Sequence, residues 1–170
     1  MIGGRATATA AISVVALSAW LGATLLVATV VAPAAFAVLP TRTLAGALVG
    51  RVLPVLFYIG AAIGVLVSMV GRTTSPSLGR VSAGVVMVAA CLAAQLIVGP
   101  RIERIRLDAG RPIDQLAAGD SRRTSFGRLH GASVLLLGVA AIAGSAALVL
   151  TLRMMPRAAT SAETKQSPEL

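Results

Sequence analysis

The sequence predicts an all-α protein, an integral membrane bundle of four transmembrane helices. Three observations carry the prediction. Hydrophobic residues make up 56% of the 170 and charged residues 12%, with a mean hydropathy of +0.88. A soluble domain carries roughly twice that charge, about 25%, and one of this length has too little interior to hide so much apolar surface. The chain also divides into four stretches free of charge, bounded by Arg5 and Arg42, Arg51 and Arg72, Arg80 and Arg101, and Arg128 and Arg153. Each has about 20 residues or more, enough for a helix to cross a hydrocarbon core near 30 Å. Inside lipid the backbone must satisfy its own hydrogen bonds, which a helix does and an isolated strand does not.

The first span is expected over about 8–32. Pro33 should kink its end, because proline lacks the N–H that a helix needs and crowds the preceding turn. Ala35-Phe36-Ala37 looks like a signal-peptidase site, but the apolar run before it is far longer than a signal core, so it reads as a span. Pro40 breaks the chain, and Thr41 or Thr43 offers a hydroxyl cap for the next helix. The second span is placed at about 50–71, with Pro54 bending it near its start. A polar turn from Gly71 to Gly79 leads to the third span, about 81–100, with Pro100 at its end.

Residues 101–120 hold Glu103, Asp108, Asp114 and Asp120. Pro112 is expected to open a short surface helix reaching Ala118, and Asp120 or Ser121 to cap the last helix. The fourth span follows at about 130–152. The tail, 156–170, is polar, lacks apolar periodicity and is expected to be disordered. Residues 1–155 thus form one transmembrane domain.

Fourteen Arg and one Lys against six acids give a net charge of +9. The bases lie between apolar runs and aromatics are only 3%, so there is no stacking platform and no nucleic-acid partner is expected. The bases instead report topology. With four spans, the termini and the turn between spans two and three share one side, with six bases. The other side, with the 101–128 loop, has nine. The nine-base side is therefore expected in the cytoplasm, in a multi-pass plasma-membrane protein.

Few residues carry chemistry. Gly60, Gly64 and Ser68 recur every four positions on the second helix, making a flat face for close helix packing. The expected role is packing within the bundle, with a homo-oligomer through that face as the alternative; the other partner is the lipid bilayer. Gln95 is the most polar residue deep in the third span, and an interhelical hydrogen bond is expected of it. Cys91 is the single cysteine and reads as a small core residue. His130 is the single histidine, one helical turn after Phe126 and one before Val134. The topology gathers the end of span three and the starts of spans two and four on one membrane face, so Arg51, Arg101 and His130 form the candidate polar site. No Gly-rich phosphate loop, nucleophile elbow or HExxH motif occurs. No catalytic residue, metal ligand or cofactor is assigned.

These residues also carry a family resemblance. Trp20-Leu21-Gly22, Ala32-Pro33, Phe36 and Leu39-Pro40 resemble the first helix of the domain of unknown function 4149 family, which includes transmembrane protein 205-like proteins. Ala45-Gly46, Gly50, Pro54, Tyr58 and Gly60 are similar to its second helix. Gly99-Pro100-Arg101-Ile102 with Arg104 is similar to the end of its third, and Phe126-Gly127-Arg128-Leu129-His130-Gly131 with Ser133 to the start of its fourth. The resemblance, over roughly 10–150, implies a four-helix membrane protein without established biochemical activity. It also implies distant kinship with copper resistance D-like proteins and HemJ-type protoporphyrinogen oxidases, and so with metal or porphyrin chemistry. A bis-histidine haem site is not available to a chain with one histidine. The functional expectation is a small membrane protein with a structural or partner-binding role and no enzyme activity. The alternatives are a small-solute or metal-handling permease and a haem- or metal-linked redox protein.

Overall fold

A computed structural model describes residues 2–73 and 77–154; the expected tail, 156–170, lies outside the described residues. Four long helical rods account for nearly all of them. The first is α1 (Ile2–Leu26), a π-helical turn (Val27–Val31) and α2 (Ala32–Val38). The second is α3 (Arg42–Thr73), unbroken despite Pro54. The third is α4 (Leu78–Ala93), a second π-turn (Ala94–Val98) and α5 (Gly99–Ala109). The fourth is α6 (Ser121–Met154). All four are long and apolar enough to cross a membrane, with mean hydropathies of 2.2 to 2.4 in their most apolar stretches.

Prolines shape two of the rods in the same way. In the third, the residue before Pro100 is Gly99, and its N–H bonds to Ala94, five residues back instead of four. In the first, the residue before Pro33 is Ala32, whose N–H bonds to Val27, again five back. A π-turn widens the helix just before the ring and relieves its clash with the preceding turn. The chain therefore runs through both prolines as helix. The third rod continues past Pro100 for two and a half turns, to Ala109.

The ends are capped by the residues the sequence offers. Leu44 N–H donates to the Thr41 hydroxyl at 3.2 Å, while the Thr43 hydroxyl turns away and donates to Asp114. Arg122 N–H donates to the Asp120 carboxylate at 2.9 Å, which starts α6. Helix α5 stops at Gly110, whose φ of +60° is a left-handed conformation that glycine takes without strain. The expected helix after Pro112 is only a 3-10 turn, Ile113–Gln115, because the loop is tied elsewhere: Arg123 donates to the Leu116 carbonyl and Arg122 to that of Asp108.

The interior is small-residue rich. Ala61, Ala90, Cys91, Ala94, Ala140, Ala143 and Ala147 are buried around Leu17, Trp20, Phe57, Val67 and Met87. Large apolar side chains point the other way: Val15, Leu135 and Ile142 are each at least two-thirds exposed. This inverts the soluble pattern. It suits a bundle in lipid, where outer surfaces meet acyl chains and helices associate by close van der Waals packing.

Candidate functional site

The two halves of the bundle differ in how far their helices stand apart. In one half α3 and α4 touch backbone to backbone. A methyl group on Gly64 would lie 2.9 Å from the Gly84 carbonyl and 3.2 Å from the Val88 nitrogen, and one on Gly60 would lie 2.8 Å from the Trp20 ring and 2.9 Å from Cys91 Sγ. Ser68 donates to the Gly64 carbonyl at 2.8 Å and its hydroxyl faces Gly84. The Gly60–Gly64–Ser68 face is thus covered by α4 and Trp20 of the same chain. Trp20 locks α1 to α3 by donating its indole N–H to the Leu56 carbonyl at 2.8 Å. Arg80 is buried at the far end and donates to the Val70 carbonyl.

In the other half the helices part around a cavity of about 1180 Å³. Its walls come from the start of α3, from the second π-turn with α5, and from the first turns of α6, with the 110–114 loop across its mouth. Apolar groups line much of it, among them Phe36, Leu53, Tyr58, Leu96 and Phe126. The charged lining is Arg42, Arg106, Arg111 and Arg123, against Glu103 and Asp114. Four bases against two acids leave the rim net positive.

Arg106 is the best-positioned of these bases. Its guanidinium lies over the Phe126 ring, 5.5 Å from the centroid, within cation–π range. Glu103, one turn back, pairs with it at 3.7 Å. Gly50 gives it room: a Cβ there would meet only the two guanidinium nitrogens, at 3.6 and 3.9 Å. On the other helix Phe126 and His130 stack one turn apart, planes within 2° and centroids 6.3 Å apart. The Arg106–Phe126–His130 series places a cation and an imidazole in the same cleft. Thr43 fixes Asp114 at the mouth by donating to its carboxylate at 3.2 Å.

Of the three residues expected to form a polar site, His130 lines this cavity. Arg51 and Arg101 are exposed and do not line it. Their neighbours Gly50 and Pro100 do. One residue is 100° of helix rotation, enough to carry a side chain off the wall. Arg106 was not singled out in the sequence, though the signal existed: it follows Glu103 by one turn. Among the described residues Gln95 makes no hydrogen bond to another helix, and it lines the cleft instead. Among the described residues no three of His, Cys, Asp and Glu come together as a metal-ligand set.

At the loop end, Asp120 is held well below the usual carboxylate range, to about 2, chiefly by its hydrogen bonds from the Arg122 side chain and backbone. It is an anchor for α6 and does not line the cleft.

The fold and the cleft define a class: a multi-pass membrane protein of four helices, packed shut in one half and open, with a basic rim, in the other. The chain belongs to the family described as domain of unknown function (DUF4149), whose model matches residues 15–111, the first three spans and the start of the loop. No curated protein and no solved structure matches it.

Proposed function

We propose that this protein binds an anionic ligand in the cleft at its arginine-rich face, acting as a ligand- or partner-binding membrane protein. The reading rests on one observation: a large cavity, mostly apolar in its walls, whose rim carries Arg42, Arg106, Arg111 and Arg123 against two acids. Guanidinium groups are weakly hydrated forks that fit carboxylate and phosphate. In a recess sheltered from water such a contact is worth more than on an open surface. Arg106, held over Phe126 and already partly desolvated, is the anchor. His130, stacked on the same Phe126 ring, stands beside it as a hydrogen-bonding group. Binding is favoured over conduction, because Gly60, Gly64 and Gly84 bring helices into contact in the far half. Assembly of copies through the Gly60–Gly64–Ser68 face would require α4 to leave it. Arg51 and Arg101, exposed near the same face, serve as anchors to lipid phosphates.

The test is competitive native mass spectrometry of the detergent-solubilised full chain with decanoate and decanol. Preferential retention of decanoate, lost in Arg106→Gln, is the expected result. Equal retention of the two in the parent protein would overturn the reading.

The same proposal places the protein in the plasma membrane with the cleft face in the cytoplasm, on the count of nine bases against six. A C-terminal alkaline phosphatase fusion should be active and a C-terminal fluorescent fusion dark; the opposite pattern reverses the orientation.

A further inference from the structure

The inner wall of the cleft differs chemically from its rim. Gly99 gives its N–H to Ala94, so the Gln95 carbonyl loses the donor that an α-helix would supply from Gly99. The Leu96 carbonyl would take its donor from Pro100, which has no N–H. On the facing helix the Gly50 carbonyl would take its donor from Pro54, which also has none. Gly50, Pro54, Gln95, Leu96, Gly99 and Pro100 all line the one cavity. The Gln95 side chain adds an amide with no hydrogen-bond partner among the described residues. In hydrocarbon an unserved carbonyl is expensive, and it is tolerated where it lines a cavity that brings a partner.

The wall therefore offers neutral hydrogen-bonding groups, the Gln95 amide and carbonyls that lose their α-helical donors, and the rim a set of cations. Eleven residues separate Gln95 from Arg106, about 16 Å along a helix. We infer that the ligand is a bipolar amphiphile: an acidic head at Arg106, an apolar middle, and a hydrogen-bond donor such as a hydroxyl at its inner end. This rests on the anion-binding reading and adds what the far end of the ligand must be. A simple fatty acid would satisfy the rim and leave the wall unserved.

Competitive native mass spectrometry can read the difference directly. Octanoate, decanoate and dodecanoate are each set against the ω-hydroxy acid of the same length, on the full chain in detergent. For the length that fits, the hydroxy acid should be retained on the order of fivefold more tightly, the worth of one hydrogen bond made in a sheltered site. Pro100→Ala restores an N–H to the Leu96 carbonyl, and Pro54→Ala restores one to Gly50. In either variant the hydroxy acid's advantage should fall toward one. Pro33→Ala repairs the equivalent break in the first rod, at a residue that does not itself line the cavity, and should keep the advantage. Equal retention of both acids at every length would overturn the inference and leave the anion-binding reading standing. So would an advantage that survives in both Pro100→Ala and Pro54→Ala. Retention of no acid at all would overturn both.

Discussion

The half of the bundle around Gly64 and the half around Gly50 are built from the same residue types and do opposite things. Both have glycines on α3 facing the third rod. At Gly64 the neighbour is backbone, the Gly84 carbonyl and the Val88 nitrogen, and neither can retreat. At Gly50 the neighbour is the far end of a flexible side chain, the Arg106 guanidinium. One glycine brings helices together; the other makes space for a charge. The difference comes from what faces it. Around Gly64 the third rod is α-helix of small residues. Around Gly50 it carries a π-turn, Pro100 and a run of bases, which hold the rods apart.

Four substitutions would break or sharpen that contrast. Gly64→Leu should have the largest effect. The new side chain has no space between two backbones, and overpacking of this kind costs about 3 kcal/mol or more. A large fall in the detergent melting temperature is expected; an unchanged one would mean that α3 and α4 do not meet there. Trp20→Phe removes the indole donor to Leu56 and leaves a void where the larger ring was buried. The lost hydrogen bond and the cavity together should cost about 2 kcal/mol. Gly50→Leu should move stability by less than about 0.5 kcal/mol, as surface-like sites do. It should displace Arg106 from Phe126 and weaken retention of decanoate. If Gly50→Leu proves as damaging as Gly64→Leu, the two halves are equally packed and the cleft is closed.

Asp120→Asn probes the loop that spans the open half, and its effect should be the smallest and pH-dependent. The Asp120 carboxyl titrates near 2 in the fold, below its ordinary 3.8. A depressed value means that the carboxylate contributes stability above about pH 4 and loses it as the pH falls through 2. The melting-temperature gap between parent and variant should be present at neutral pH and close on acidification between those values. A gap that stays constant with pH would remove the charge of Asp120 as its cause and leave the cap geometry alone.

Much of the open half was legible in residues, though not its inward face. The sequence places Pro54, Pro100, Phe126 and His130 on one membrane face, and the Phe126–His130 spacing of one helical turn becomes a stacked pair. What the spacing cannot give is the rotation of each rod. Arg51 and Arg101 sit next to the two prolines in the chain, yet the wall is made by Gly50 and Pro100, one residue and 100° round. A π-turn adds to the difficulty. It shifts the helical phase of everything beyond it, so the direction of Arg106 depends on the turn at Ala94–Val98.

The sequence by itself determined the class of fold. Long uncharged runs leave lipid as the solvent, and lipid allows a chain of this composition only helices. It also narrowed the helix caps to Thr41 or Thr43 and to Asp120 or Ser121, because capping depends on neighbours a few residues away. Tertiary structure decided how each proline was absorbed, widening the helix at Pro33 and Pro100 and leaving α3 unbroken at Pro54. It also decided which arginines face the cleft. The reason is physical: hydropathy and local capping act within one or two turns of chain, while rotation, widening and separation of rods are fixed by side chains brought from other helices.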